Sequence, residues 1–272
     1  MPAINRCGLV YTDKVVIVTG GSKGIGAGCA RVFADAAAKV VICARGLAAG
    51  QALAEELTET GPGTCDFEVC DVSKPEDIVR LIDWTIKRHG RLDCLINNAG
   101  YHPPHKAIDD FSLEDLHAVV QTNLVSCFVA CKHALPHLRK TKGNVINMGS
   151  LVSVIGQETA TIYCATKGGI SAFTKSLAIE EARYKVRVNC VLPGNILSNS
   201  RLEAVAVAPD PVALDKRIDS HQPSGRSGTN EEVGQLCLFL ASDAASYITG
   251  TEIIISSGSE LGYGVKYPLT FV

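Results

Sequence analysis

The sequence predicts an α/β fold: a doubly wound parallel sheet with helices on both faces. Three observations predict it. Short β-branched runs alternate with longer segments of helical period along the chain, the pattern of repeated βαβ units. Most of the short runs are apolar without strict alternation, as suits strands covered on both faces. A glycine-rich turn joins the first strand to the first helix and narrows the class to the Rossmann type.

Each element follows in order. Lys14–Thr19 is the first expected strand, and the turn Gly20 to Gly26 leads into a helix through Phe33. Lys39–Cys43 is the second strand, Leu47–Leu57 a helix and Cys65–Cys70 the third strand. Pro75 opens a helix, its fixed φ suiting a first turn, with Ile78, Leu81, Ile82 and Ile86 on one face. Leu92–Ile96 is the fourth strand. A long helix from about Ser112 to Arg139 precedes a fifth strand, Asn144–Met148. A helix from about Ala160 to Ala182 and a strand over Arg187–Val191 come next. Residues 195–228 are less regular; within them Ser198 to Gln222 mixes Leu202, Val205, Val207 and Leu214 with Asn199, Arg201 and Glu203 and is expected to form a helical lid. A helix over Glu231–Ala241 and a strand over Glu252–Ile255 complete the set.

With 46% apolar residues in 272, a large core is available. The net charge of −2 and the lack of a basic block give no electrostatic footprint for nucleic acid. No apolar run approaches the ~20 residues of a bilayer span, and the N-terminus, Met1 to Tyr11, lacks a signal-peptide core. The eleven cysteines are odd in number and several sit inside apolar runs, so free thiols and a reducing, cytoplasmic setting are expected. Cys127 and Cys131 lie four apart, but no second pair or histidine cluster completes a metal site.

The turn reads Thr19-Gly-Gly-Ser-Lys-Gly-Ile-Gly26. Gly20, Ser22, Gly24, Ile25 and Gly26 are placed to bring backbone against a pyrophosphate at a helix N-terminus. An NAD site usually carries an acidic residue after the second strand; here Ala44-Arg45 stands there. Arg45, with Lys23 as a second cation, suits a 2′-phosphate, which favours NADP over NAD. Asp71, beside Val72, is either an adenine acceptor or a turn aspartate. Asn98, Ala99 and Gly100 end the fourth strand at the carboxyl edge, where ligands bind in such sheets.

Tyr163 and Lys167 are four apart on one helix and share a face. A nearby cation favours a phenolate, which brings general acid–base chemistry toward neutral pH. Ser150 follows the fifth strand at the same edge and is placed to hold a substrate oxygen.

The glycine turn, "NNAG", Ser150, "YCATK" and "PGNI" together resemble the short-chain dehydrogenase/reductase family over about residues 12–265. The resemblance implies hydride transfer between NADP, or NAD, and a secondary alcohol or ketone. It makes Tyr163 the acid–base, Lys167 a ribose ligand, Ser150 the substrate anchor and Asn123 a distorted helical residue that holds a relay water. Pro193, Gly194 and Ile196 would flank the nicotinamide. It divides the single expected domain, 1–272, into a core (12–195), a substrate lid (196–228) and a last strand with tail (252–272), and implies a homotetramer. "NNAGYHPP", "GNVINMGSLVSVIGQ" and "ELGYG" resemble the family's 17β-hydroxysteroid and L-fucose dehydrogenase branch, implying substrate contacts at His102 and Gln157 and a tail, Glu260 to Gly264, over the pocket. Ala44-Arg45 departs from that branch, which uses NAD, and Leu197-Ser198-Asn199 alters the pocket wall. Ala37 stands where a helix-ending glycine is usual. A 3-oxoacyl reductase and a non-catalytic dinucleotide sensor are the alternatives.

Overall fold

Seven short strands pair in parallel in the order β3-β2-β1-β4-β5-β6-β7. The computed structural model describes residues 8–262 and 264–267. The strands are β1 (Val15–Thr19), β2 (Lys39–Ala44), β3 (Thr64–Val69), β4 (Cys94–Asn97), β5 (Asn144–Met148), β6 (Arg187–Pro193) and β7 (Glu252–Ile255). The reversal of strand order falls between β1 and β4, which opens a crevice at their carboxyl ends.

The continuous apolar runs serve two cores at once. Val16 and Val18 of β1 and Val40 and Ile42 of β2 face one core, with helices α1 (Gly24–Asp35), α2 (Leu47–Thr60) and α9 (Asn230–Ala241). Val15, Ile17, Val41 and Cys43 face the other, with α3 (Pro75–His89), α5 (Ser126–Thr141) and α6 (Thr161–Glu181). Gly28 and Gly234 let α1 and α9 cross closely. A Cβ at Gly28 would lie 2.4 Å from the Asn230 carbonyl carbon. Arg139 of α5 makes a two-pronged pair with the buried Glu181 of α6, at 2.8 and 2.6 Å. This pair fixes the helix that carries Tyr163.

The long helix expected over 112–139 is α4 (Leu113–Val120) and α5 joined by a π-helical turn, Gln121–Val125. The Ser126 N–H reaches back five residues to the Gln121 carbonyl. The helical stretch Leu113–Thr141 is long and apolar enough to cross a bilayer by composition, which corrects the expectation that nothing in the chain approaches such a span. Here it packs as a core helix, with Cys127, Ala130, Cys131, Ala134 and Leu138 buried.

The segment 195–228 holds two helices, α7 (Asn199–Ala206) and α8 (Pro211–Asp219). The buried Arg201 guanidinium joins them, donating to Asp215 at 2.5 Å, to Asp219 at 3.0 Å and to the Ser227 hydroxyl. The tail continues past β7 back onto α8: the Lys266 and Tyr267 N–H groups donate to the Ser220 carbonyl at 2.8 and 3.0 Å. Of the expected tail residues, Tyr263 and residues 268–272 lie outside the described set. The ten described cysteines are free, nine of them buried.

Candidate active site

The glycine turn and the "NNAG" turn are built as one piece. The Thr19 hydroxyl accepts the N–H groups of Asn98 and Ala99, each at 3.0 Å. The Asn98 amide donates to the Thr19 carbonyl at 2.8 Å and the Gly20 carbonyl at 3.2 Å. Gly20 has a φ of 64°, where L side chains are strained. A Cβ on Gly26 would lie 2.3 Å from the Gly20 oxygen and 2.5 Å from the Asn98 amide nitrogen. Asn98 thus acts here as a brace for the turn.

Gly24, at φ 57°, opens α1. Its N–H donates to Asn199 Oδ1 of the lid at 3.0 Å. A helix N-terminal N–H that takes an oxygen acceptor is a donor suited to phosphate, so the residues present fit a dinucleotide. Ser22 and Ile25 flank this point and are half-buried. Lys23 pairs with Glu203 at 3.5 Å. A cavity of about 380 Å³ begins at Ser22, Lys23 and Gly24 and runs between α1 and α2.

Arg45 is exposed at the end of β2. Asp71 Oδ1 accepts the Ser73 hydroxyl at 2.8 Å and the Ser73 N–H at 3.0 Å. Those bonds, helped by the charge of Arg45, hold its carboxyl below the usual range. The turn role of Asp71 is therefore filled. Val72 packs on the core beneath α3.

Lys167 is the best-buried cation of the site. Its ammonium donates to the Met148 carbonyl at 2.7 Å and lies 5.6 Å from the centroid of the Tyr163 ring. A Cβ on Gly100 would lie 3.5 Å from it, so backbone can pass closely there. Ser150 caps the short turn after β5. The Ser153 hydroxyl accepts the Ser150 N–H at 3.3 Å and donates to the Lys167 carbonyl at 3.0 Å. One serine thereby ties the Ser150 turn to the helix of Tyr163.

Asn123 sits fully buried in the π-helical turn. Its amide donates to the Tyr101 carbonyl at 2.9 Å and to Thr166 Oγ1 at 3.2 Å, and its Oδ1 accepts the Tyr101 N–H at 2.7 Å. The distortion expected of its helix is present, and its side chain clamps the loop after Gly100. That loop lays the His102 ring on Tyr163, centroids 4.2 Å apart, with His105 5.0 Å further out. Partial burial pushes the His102 pKa down, although the residue as a whole is exposed.

The structure does not unite all expected residues. Gln157 is exposed in the loop before α6. Ile196 is buried in the core and bridges Gly228. Pro193 pairs with Ile255, and Gly194 packs on Ser256, where a Cβ would meet the serine Cβ at 2.8 Å. Sequence reasoning missed Thr19, Ser153 and the Met148 carbonyl. Their signals are positional: Thr19 opens the glycine turn, and Met148 and Ser153 flank Ser150. It also missed Asn199 and Glu203 as partners of the turn, since nothing local announces a contact 175 residues away.

The family model described as enoyl-(acyl carrier protein) reductase matches residues 20–260. The chain is 49% identical to L-fucose dehydrogenase of Bos taurus, covering 95% of this chain and 94% of that one. It is 38% identical to the 3-oxoacyl-[acyl-carrier-protein] reductase FabG of Chlamydia pneumoniae, covering 92% and 98%. The crystal structure of levodione reductase superposes with a TM-score of 0.89 at 29% identity, covering 93% of this chain and 100% of that one.

Proposed function

Because the chain belongs to the short-chain dehydrogenase/reductase family, as an NAD(P)-dependent oxidoreductase of secondary alcohols and ketones, we propose that it oxidises a sugar, L-fucose first, with NADP preferred over NAD. The carrying observation for the chemistry is the buried Lys167 ammonium between the Met148 carbonyl and the Tyr163 ring. The name of the Bos taurus relative and the polar mouth of His102 and His105 support a sugar. Exposed Arg45, with no carboxylate at the end of β2, supports NADP.

The bound nicotinamide would supply the acceptor for the carbinol hydride. Ser150 holds the substrate oxygen. Tyr163 takes the hydroxyl proton, with the Lys167 ammonium 5.6 Å from its ring centroid. Lys167 spends one donor on Met148 and offers the others to the nicotinamide ribose. Asn123 keeps the His102 loop in place through Tyr101 and, by its turn, anchors the relay water. Gly20 to Gly26 would cradle the pyrophosphate, and Asn98 to Gly100, Pro193 and Gly194 would border the nicotinamide.

A second reading, a 17β-hydroxysteroid or another lipophilic alcohol, is supported by exposed Val154 and Ile155 beside Gln157 and by Leu197 and Leu202 on the lid. Reduction of a 3-oxoacyl chain is weaker, resting on the more distant relative. Exposed Phe128 on α5 and Ile179 on α6 support assembly as a homotetramer through those helices, and the free thiols suit a cytoplasmic setting.

The test is turnover of L-fucose with NADP and with NAD, followed by nicotinamide absorbance. Faster reduction of NADP is expected. Tyr163→Phe is expected to remove turnover while dinucleotide affinity changes less than about two-fold, since hydride transfer needs the proton acceptor and binding does not. Turnover of a steroid but not of the sugar would select the second reading.

A further inference from the structure

The lid meets the glycine turn at two points. Asn199, at the start of α7, accepts the Gly24 N–H at 3.0 Å. Four residues on, and so on the same face, Glu203 lies 3.5 Å from the Lys23 ammonium. A Cβ on Gly24 would sit 3.6 Å from the Ser198 Cβ, so the two elements touch here.

Neither contact is needed to hold α7. Ser198 caps it by accepting the Arg201 N–H at 3.4 Å. Arg201 anchors it to Asp215, Asp219 and Ser227. What Asn199 and Glu203 do occupy is a helix N-terminal N–H and a cation, the two donor types that phosphate groups seek.

We propose that Glu203 sets the preference between the 2′-phosphorylated and the unphosphorylated dinucleotide, and that Asn199 lowers the affinity for both, each by competing for a donor of the glycine turn. The inference rests on the dinucleotide reading above. A 2′-phosphate has to win Lys23 from a carboxylate that then repels it. NAD lacks that group and does not sense the competition. The pyrophosphate is common to both dinucleotides, so Asn199 competes with both alike.

The experiment is a titration of the full chain with NADPH and with NADH, read by nicotinamide fluorescence without turnover. Glu203→Gln is expected to tighten NADPH about three-fold, the scale of an exposed ion pair, and to leave NADH unchanged. The gain should vanish in a Lys23→Ala background and shrink with added salt. Asn199→Ala is expected to tighten both by a similar factor. An equal effect of Glu203→Gln on both dinucleotides, a gain that survives Lys23→Ala, or weaker binding in Asn199→Ala overturns the proposal. If the unmodified chain binds neither dinucleotide, the functional reading itself fails, a result separate from all of these.

Discussion

The carboxyl edge of the sheet and the lid over it are held by different forces. The edge is held by short bonds between buried or half-buried groups: Thr19 with Asn98 and Ala99, Lys167 with Met148, and a chain from Asn97 through Asn147 to Thr174 at 2.9 Å per step. The lid is held by charge: Arg201 with Asp215 and Asp219, and Arg226 with Glu232 at 2.9 and 2.6 Å. Sheltered bonds keep reacting groups fixed whatever the salt or pH. Charges half in water are screened and titrate. A site built this way can loosen its cover without losing its floor.

The largest expected effect falls on the floor. In Gly26→Ala the new methyl would meet the Gly20 oxygen at 2.3 Å, and that backbone is braced by Asn98 and cannot give way. A loss of at least about 2 kcal/mol of stability is expected, with no thermal shift on adding NADPH. Normal NADPH stabilisation in that variant would show that the brace is not rigid.

Arg201→Met should be smaller and confined to the lid. It leaves Asp215 and Asp219 without their cation. Both carboxylates keep some water, which brings the cost of breaking a buried pair down to about 1–3 kcal/mol. Limited proteolysis should speed within 195–228, while the main thermal transition moves little. Cooperative loss of the whole fold would erase the distinction between edge and lid.

Acid should separate the two regions without mutation. Burial alone would raise the Asp219 pKa, but the Ser227 hydroxyl and Arg201 outweigh it and hold it down. A carboxyl depressed in the folded state contributes stability that is present above its unfolded pKa, about 4, and is lost as pH falls through the folded value. Cleavage in 195–228 should therefore rise below about pH 4, before the sheet unfolds. Simultaneous unfolding would sink this.

The same contrast marks what could be read from the sequence. The seven strands were legible because they are short and apolar-rich and alternate with helical segments, most of them buried on both faces, and Ser150, Tyr163 and Lys167 because they keep fixed local spacing. The lid was legible only as helical; the bounds of its two helices, Asn199–Ala206 and Pro211–Asp219, were not, since they carry few apolar residues in period and depend on Arg201. The π-helical turn at Asn123 was expected from the family resemblance alone; its own sequence reads as plain helix. Gln157, exposed before α6, and Ile196, buried against Gly228, have surroundings that no local motif announces. Order along the chain does not say which way a loop side chain points.

Ala37 offers the smallest test, on the side of the molecule where sheltered bonds rule. It closes α1 at φ 64°. Its N–H donates to the Ala34 carbonyl and that of Ala38 to the Phe33 carbonyl, both at 3.0 Å, the paired bonds of a Schellman cap. That cap favours glycine, because a Cβ in the left-handed region costs about 1–2 kcal/mol. Ala37→Gly relieves this but loosens the unfolded chain by about 0.5–1 kcal/mol. A net gain of about 0.5–1 kcal/mol is expected, seen as a thermal midpoint about 1–3 °C higher. The position precedes β2, at the end of the sheet away from Tyr163, so turnover should not change. A lower midpoint would mean that the alanine methyl contributes packing beyond the cap, and that even the sheltered half of the fold trades backbone strain for contact.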